Sequence, residues 1–188
     1  MWIFLLTIVI VVGASLMAWR LLVGRSQLVV TSDKLHFPTV SGFNLDRQEL
    51  QFPRDFAGEL NLIFIAFLQQ QQLVINTWLP YAQEVEGTFP GVVYYEFPTI
   101  EELPAVSRTF INEGMRAGIP DPKARQRTIT LYIDLKKFMQ TTGIPDKSEV
   151  HILLVNRAGE ILWRTTGNFE QVKGDELVKT IENAKRNE

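Results

Sequence analysis

Apolar runs and periodically spaced polar segments alternate along the chain, and the two patterns predict different elements. Residues 60–68, "LNLIFIAFL", are almost continuously apolar. A run of that length fits a strand buried on both faces, within a sheet covered by helices. Val74, Trp78, Tyr81, Ala82 and Val85 then recur at helical spacing, with Gly87 as a stop. Pro80 lies inside that pattern, where it either kinks the helix or sits near its first turn. "GVVYYEF" (91–97) predicts a second strand. Thr99 and Glu102 have the spacing of a capping box. Leu103, Val106, Phe110 and Met115 mark one face of the helix after it, and "GIPDPKARQ" (118–126) reads as loop.

Further along, "TITLYID" (128–134) is β-branched and alternating, which predicts a strand. "LKKFMQTTG" predicts a short helix ending at Gly143, and "VHILLV" (150–155) another buried strand. Asn156–Gly159 forms the turn of a hairpin that returns through "EILWRTT" (160–166). A final amphipathic helix over 175–186 turns Leu177, Val178, Ile181 and Ala184 inward. Upstream, residues 37–59 carry turn residues at Ser41-Gly42 and Asp46-Arg47, and apolar stretches flanking the second predict a hairpin. The succession is of the α/β class: a mixed β-sheet sandwiched by helices, with parallel pairs across the crossovers and an antiparallel edge.

The N-terminal pattern is of another kind. Residues 1–19 hold no charge, and the apolar run extends to Arg25. About 20 apolar residues span a bilayer as a helix. A cleaved signal peptide is the rival reading, but no Lys or Arg precedes the run and the run is long for one. The division expected is a transmembrane anchor over 1–25, a linker over 26–36 and one domain over 37–188. The protein is thus expected in a membrane, single-pass. Arg20, Arg25 and Lys34 all follow the span, so the positive-inside rule favours a cytoplasmic or matrix-like domain.

Charge and composition exclude several functions. A net charge of -2 with scattered basic residues predicts no nucleic-acid binding. With no cysteine, the chain has no disulfide, thiolate nucleophile or Cys-ligated metal of its own. The two histidines, His36 and His151, lack metal-ligand spacing. Glu84 and Glu86 point apart on a helix, and Glu101 and Glu102 suit a helix N-terminus, so neither pair predicts acid–base catalysis. No phosphate loop or nucleophile elbow is present.

The order of elements resembles the thioredoxin-like superfamily, especially its peroxiredoxin-like and membrane-tethered branches, across residues 37–186. "FPTVSGFNLDRQELQFPRDFAGELNLIFIAF", "TLYIDLKKFMQTTGIP" and "ILLVNRAGEILWRTTGNF" carry that likeness. On this resemblance, "INTWLPYA" (75–82) is the strand-to-helix junction where such proteins keep redox cysteines. Leu79 and Ala82 then stand at the cysteine positions, and Val150 at the position of a cis-proline, with Pro145 too early. Within the superfamily the chain resembles the mitochondrial ATP synthase assembly factors, through Gly42-Phe43-Asn44-Leu45, Trp78, Ile161-Leu162-Trp163 and Gly167. That resemblance implies an assembly helper for membrane subunits of the proton channel.

The function expected is a redox-inactive, membrane-anchored interaction or assembly factor for a membrane complex, ATP synthase by the resemblance. It is expected to be no enzyme and to need no cofactor. The alternative is a divergent thiol-disulfide oxidoreductase or peroxiredoxin relative whose activity a partner or cofactor supplies. Trp78, Pro80, Tyr81 and Trp163 are the candidate partner-binding residues, because large amphipathic side chains dominate binding hot spots. Core filling is the competing role for both tryptophans. The Gln69–Gln72 run beside Trp78 reads as a solvated connection.

Overall fold

The structure is a computed structural model and describes residues 35–186. The expected anchor and residues 26–34 of the linker lie outside the described residues. Among the described residues no helix is long and apolar enough to cross a membrane. Leu35 and His36, read as the end of the linker, are tied to the domain: the Leu35 carbonyl accepts from Ile161 N–H, and His36 bridges Glu160.

Seven strands form one sheet: β1 (Val40–Asn44), β2 (Glu49–Phe52), β3 (Leu60–Ala66), β4 (Val92–Glu101), β5 (Ile129–Ile133), β6 (His151–Asn156) and β7 (Ile161–Thr166), in the spatial order β2-β1-β5-β4-β3-β6-β7. β3 pairs parallel with β4, and β4 with β5. β6 runs antiparallel to β3, so the chain leaving β5 crosses the sheet and does not build a third parallel pair. The helices are α1 (Gln72–Thr88), α2 (Ala105–Gly118), α3 (Pro122–Arg127), α4 (Leu135–Thr142) and α5 (Gln171–Arg186).

Strand β3 is buried along its whole length, which explains its unbroken apolar run. Leu60, Leu62 and Phe64 face one way, with Trp78, Ala82 and Val85 of α1 and Leu177 and Ile181 of α5. Ile63 and Ile65 face the other way, against Phe138 of α4 and the rings of Phe37, Phe52 and Phe56. Each such side chain stabilises the fold by about 1.5–3 kcal/mol when fully buried.

Several local expectations change. Ser41-Gly42 is no turn but lies inside β1. A Cβ on Gly42 would stand 2.7 Å from Leu131 Cδ2 and from the Thr130 carbonyl, so glycine lets β1 approach β5. Thr99 is a buried strand residue whose hydroxyl donates to the Phe97 carbonyl, and the next helix begins only after Pro104. The stretch read as loop contains α3, capped by Asp121, whose carboxylate accepts from Lys123 and Ala124 N–H. Helix α2 splits the stripe expected of it: Val106 and Phe110 point to solvent, whereas Met115 is half-buried. Gly87 sits within α1, not after it, and α5 starts four residues earlier than its apolar period suggested.

Candidate functional site

Three connections meet at one end of the sheet: Phe67–Gln71 between β3 and α1, Ile144–Val150 before β6, and Gly167–Glu170 after β7. β3 ends at Ala66 and helix begins within three residues, so the strand-to-helix junction is the glutamine run. This corrects the placement of the redox positions. Leu79 and Ala82 lie two to three turns inside α1, Leu79 half-buried and Ala82 buried. If a dithiol belongs at the strand-to-helix junction, as the resemblance implies, the positions concerned are Gln69–Gln72.

These four glutamines have different roles. Gln69, Gln70 and Gln72 are exposed, whereas Gln71 is 5% exposed. The Gln71 Oε1 accepts from Phe67 N–H (2.7 Å) and Leu68 N–H (3.2 Å), the glutamine half of a capping box. Its Nε2 donates to the Lys147 carbonyl (2.8 Å), locking the junction to the connection before β6. Gln72 Nε2 reaches down to Glu96 Oε2 on β4 (2.8 Å). Glu96 is 5% exposed, and burial pushes its carboxyl above the usual range against that one opposing hydrogen bond.

Val150 stands immediately before β6, as the resemblance placed it, and its carbonyl accepts from Gly167 N–H (3.1 Å). His151 Nε2–H donates to the Asp146 carbonyl (3.2 Å), and burial lowers the imidazole pKa. An open cleft of about 400 Å³ runs between the three connections, lined by Gln71, Val74, Val150, Gly167 and Lys173 among others. The Lys173 ammonium is engaged by the Thr166 and Asn168 carbonyls and by Glu170. Among the described residues no group of acidic, His or Cys side chains could hold a metal ion.

The four candidate partner-binding residues separate in space. Trp78 is 0% exposed, so it offers no contact surface in the folded domain. Its ring packs on Phe64, Trp163 and Phe169, and its Nε1–H donates to the Gly167 carbonyl (2.9 Å). The helix starts at Gln72, which places Trp78 in the second turn, on the buried face with Ile75 and Ala82. Tyr81 is half-buried against Phe169 and Gly174, and Trp163 is half-buried beside Trp78. Pro80 is exposed in the helix interior, leaving the Asn76 carbonyl without its helical donor.

The apolar surface that is accessible at the junction belongs to residues absent from that expectation. Leu68 is 45% and Leu73 is 73% exposed, and they flank the glutamine run. A leucine on each side of a polar tetrad was the available signal.

No family model matches this chain, and no curated protein matches it. Solved structures do. BsSco, described as a member of the Sco family of cytochrome c oxidase assembly proteins, is 11% identical over 84% of this chain and 98% of its own, with a TM-score of 0.55. Arabidopsis thaliana ScoI with copper bound is 12% identical over 79% of this chain and 99% of its own, TM-score 0.53. The exposed lipoprotein thioredoxin Etrx1 of Streptococcus pneumoniae is 12% identical over 78% and 99%, TM-score 0.51. At such identities the likeness establishes the fold: residues 35–186 form a thioredoxin-like domain without cysteine.

Proposed function

We propose that this protein is a redox-inactive, membrane-tethered interaction factor that assists assembly of a membrane complex. The observation that carries the reading is the junction itself. At the strand–helix corner of a thioredoxin-like fold stand Gln69–Gln72, flanked by exposed Leu68 and Leu73, in a chain with no thiol. An amide side chain hydrogen-bonds but exchanges no electrons, so the corner is equipped to hold a partner. The N-terminal apolar run would tether the domain at a bilayer and raise its effective concentration near membrane clients. Assembly has precedent on this fold in the Sco proteins, and the sequence resemblance makes the membrane subunits of ATP synthase the first clients to examine.

Affinity purification of the full-length protein from detergent-solubilised native membranes tests this. Subunits of one membrane complex should be recovered, and Leu73→Ser should lower the yield about fivefold or more without destabilising the fold. Recovery indifferent to Leu68 and Leu73, or no consistent subunit, would count against the proposal. Insulin-reduction and peroxide assays should be blank, and turnover by this chain alone would favour the oxidoreductase alternative.

A further inference from the structure

Helix α2 is fastened differently from the other long helices. α1, α4 and α5 each bury at least three residues, while α2 buries none along fourteen. Two of its apolar side chains, Val106 and Phe110, are 83% and 82% exposed. The side turned to the sheet presents Arg108, Ile111, Asn112 and Met115, all only half-buried.

What fastens it is polar. Tyr132 Oη on β5 donates to Asn112 Oδ1 (2.9 Å) and lies 3.3 Å from the Arg108 carbonyl. The Arg108 guanidinium stacks over the Tyr132 ring at 5.3 Å. Arg47, in the β1–β2 turn, binds Glu113 through Nη2 (2.8 Å) and Nε (3.1 Å). That pair is exposed, and pairs of this kind hold weakly. Between the turn and the helix lies a cleft of about 450 Å³, with Phe43, Asn44 and Leu45 on one wall and Thr109, Asn112 and Glu113 on the other.

The Tyr132 face of β5 also holds an unpaired hydroxyl. Thr130 shares a face of β5 with Tyr132, two residues on. It is 0% exposed, and its hydroxyl has no hydrogen-bond partner. Water reaching that face would satisfy it.

We infer that α2 is a latch: it lifts off the β5 side of the sheet as a unit while the remaining domain stays folded. Closed, it is held by Tyr132 and the Arg47–Glu113 clasp. Open, it uncovers Thr130 and Tyr132 beside Phe43, which is already 43% exposed. The cleft is the seam along which the two walls part.

Hydrogen exchange read by mass spectrometry on the full-length protein in mild detergent tests the latch. Amides of 105–118 should exchange at least a hundredfold faster than those of α1, yet slower than unstructured chain. Tyr132→Phe should speed exchange in α2 a further fivefold or so, and Glu113→Ala about twofold, with β3 and β6 unchanged. The latch is overturned if α2 is as protected as α1, or exchanges like unstructured chain. It is also overturned if the two variants leave α2 unaffected, or speed α2 and β3 alike.

Discussion

Gln71 is the member of the glutamine run that the fold cannot spare. Gln71→Ala removes an acceptor from two backbone N–H groups, Phe67 and Leu68, and a donor from the Lys147 carbonyl. Each lost bond is worth about 1 kcal/mol net, so the three together come to about 3 kcal/mol. Water from the adjoining cleft can re-satisfy part of that, which sets the lower bound near 1.5 kcal/mol. Gln69 and Gln70 are exposed, and their alanine variants should fall within about 0.5 kcal/mol of the parent. Gln71→Glu separates the two ends of the side chain. A carboxylate still accepts from Phe67 and Leu68, but it meets the Lys147 carbonyl without a proton to donate. It should therefore destabilise at neutral pH and recover in acid as the carboxyl protonates. Urea denaturation, followed by tryptophan fluorescence, measures all four variants. If Gln71→Ala unfolds at the same midpoint as Gln70→Ala, the lock does not exist.

Other consequences follow from the same contacts. The Glu96 carboxyl, held above its usual range by burial, keeps its proton in the fold at pH values where the unfolded chain, titrating near 4.5, has released it. Its contribution is therefore fullest below about pH 4.5 and is lost as pH rises through the raised value. Glu96→Gln should flatten that part of the pH–stability curve and raise the melting temperature at pH 7 to 8. Trp78→Phe leaves the Gly167 carbonyl without its indole donor and should cost about 1–3 kcal/mol in urea unfolding, an effect that a surface contact residue would not show. Gly42→Ala puts a Cβ 2.7 Å from the Thr130 carbonyl, and should cost about 1–3 kcal/mol by the same measurement.

The fold was legible where burial is two-sided or a breaker is local. β3 and β6 announce themselves as apolar runs because both faces are covered, and Gly143 ends α4 in a left-handed conformation at φ 65°. The orientation of α2 was not legible. A helical period shows that Val106 and Phe110 share a stripe, but not whether that stripe meets the sheet. The strand-to-helix junction falls at Gln69–Gln72 and not at residues 75–82, because α1 carries its proline in mid-helix. A run of identical glutamines has no internal pattern. What distinguishes Gln71 is the carbonyl of Lys147, 76 residues away, and only the folded chain brings the two together.

On the proposed function, the glutamine corner contacts a protein client. A photo-crosslinking residue in place of Leu73, activated in native membranes, reads this at the site itself. A discrete adduct with a subunit of a membrane complex is expected, and none from the same residue in place of exposed Glu182 on α5. Equal labelling at both positions, or no adduct at position 73, would contradict it.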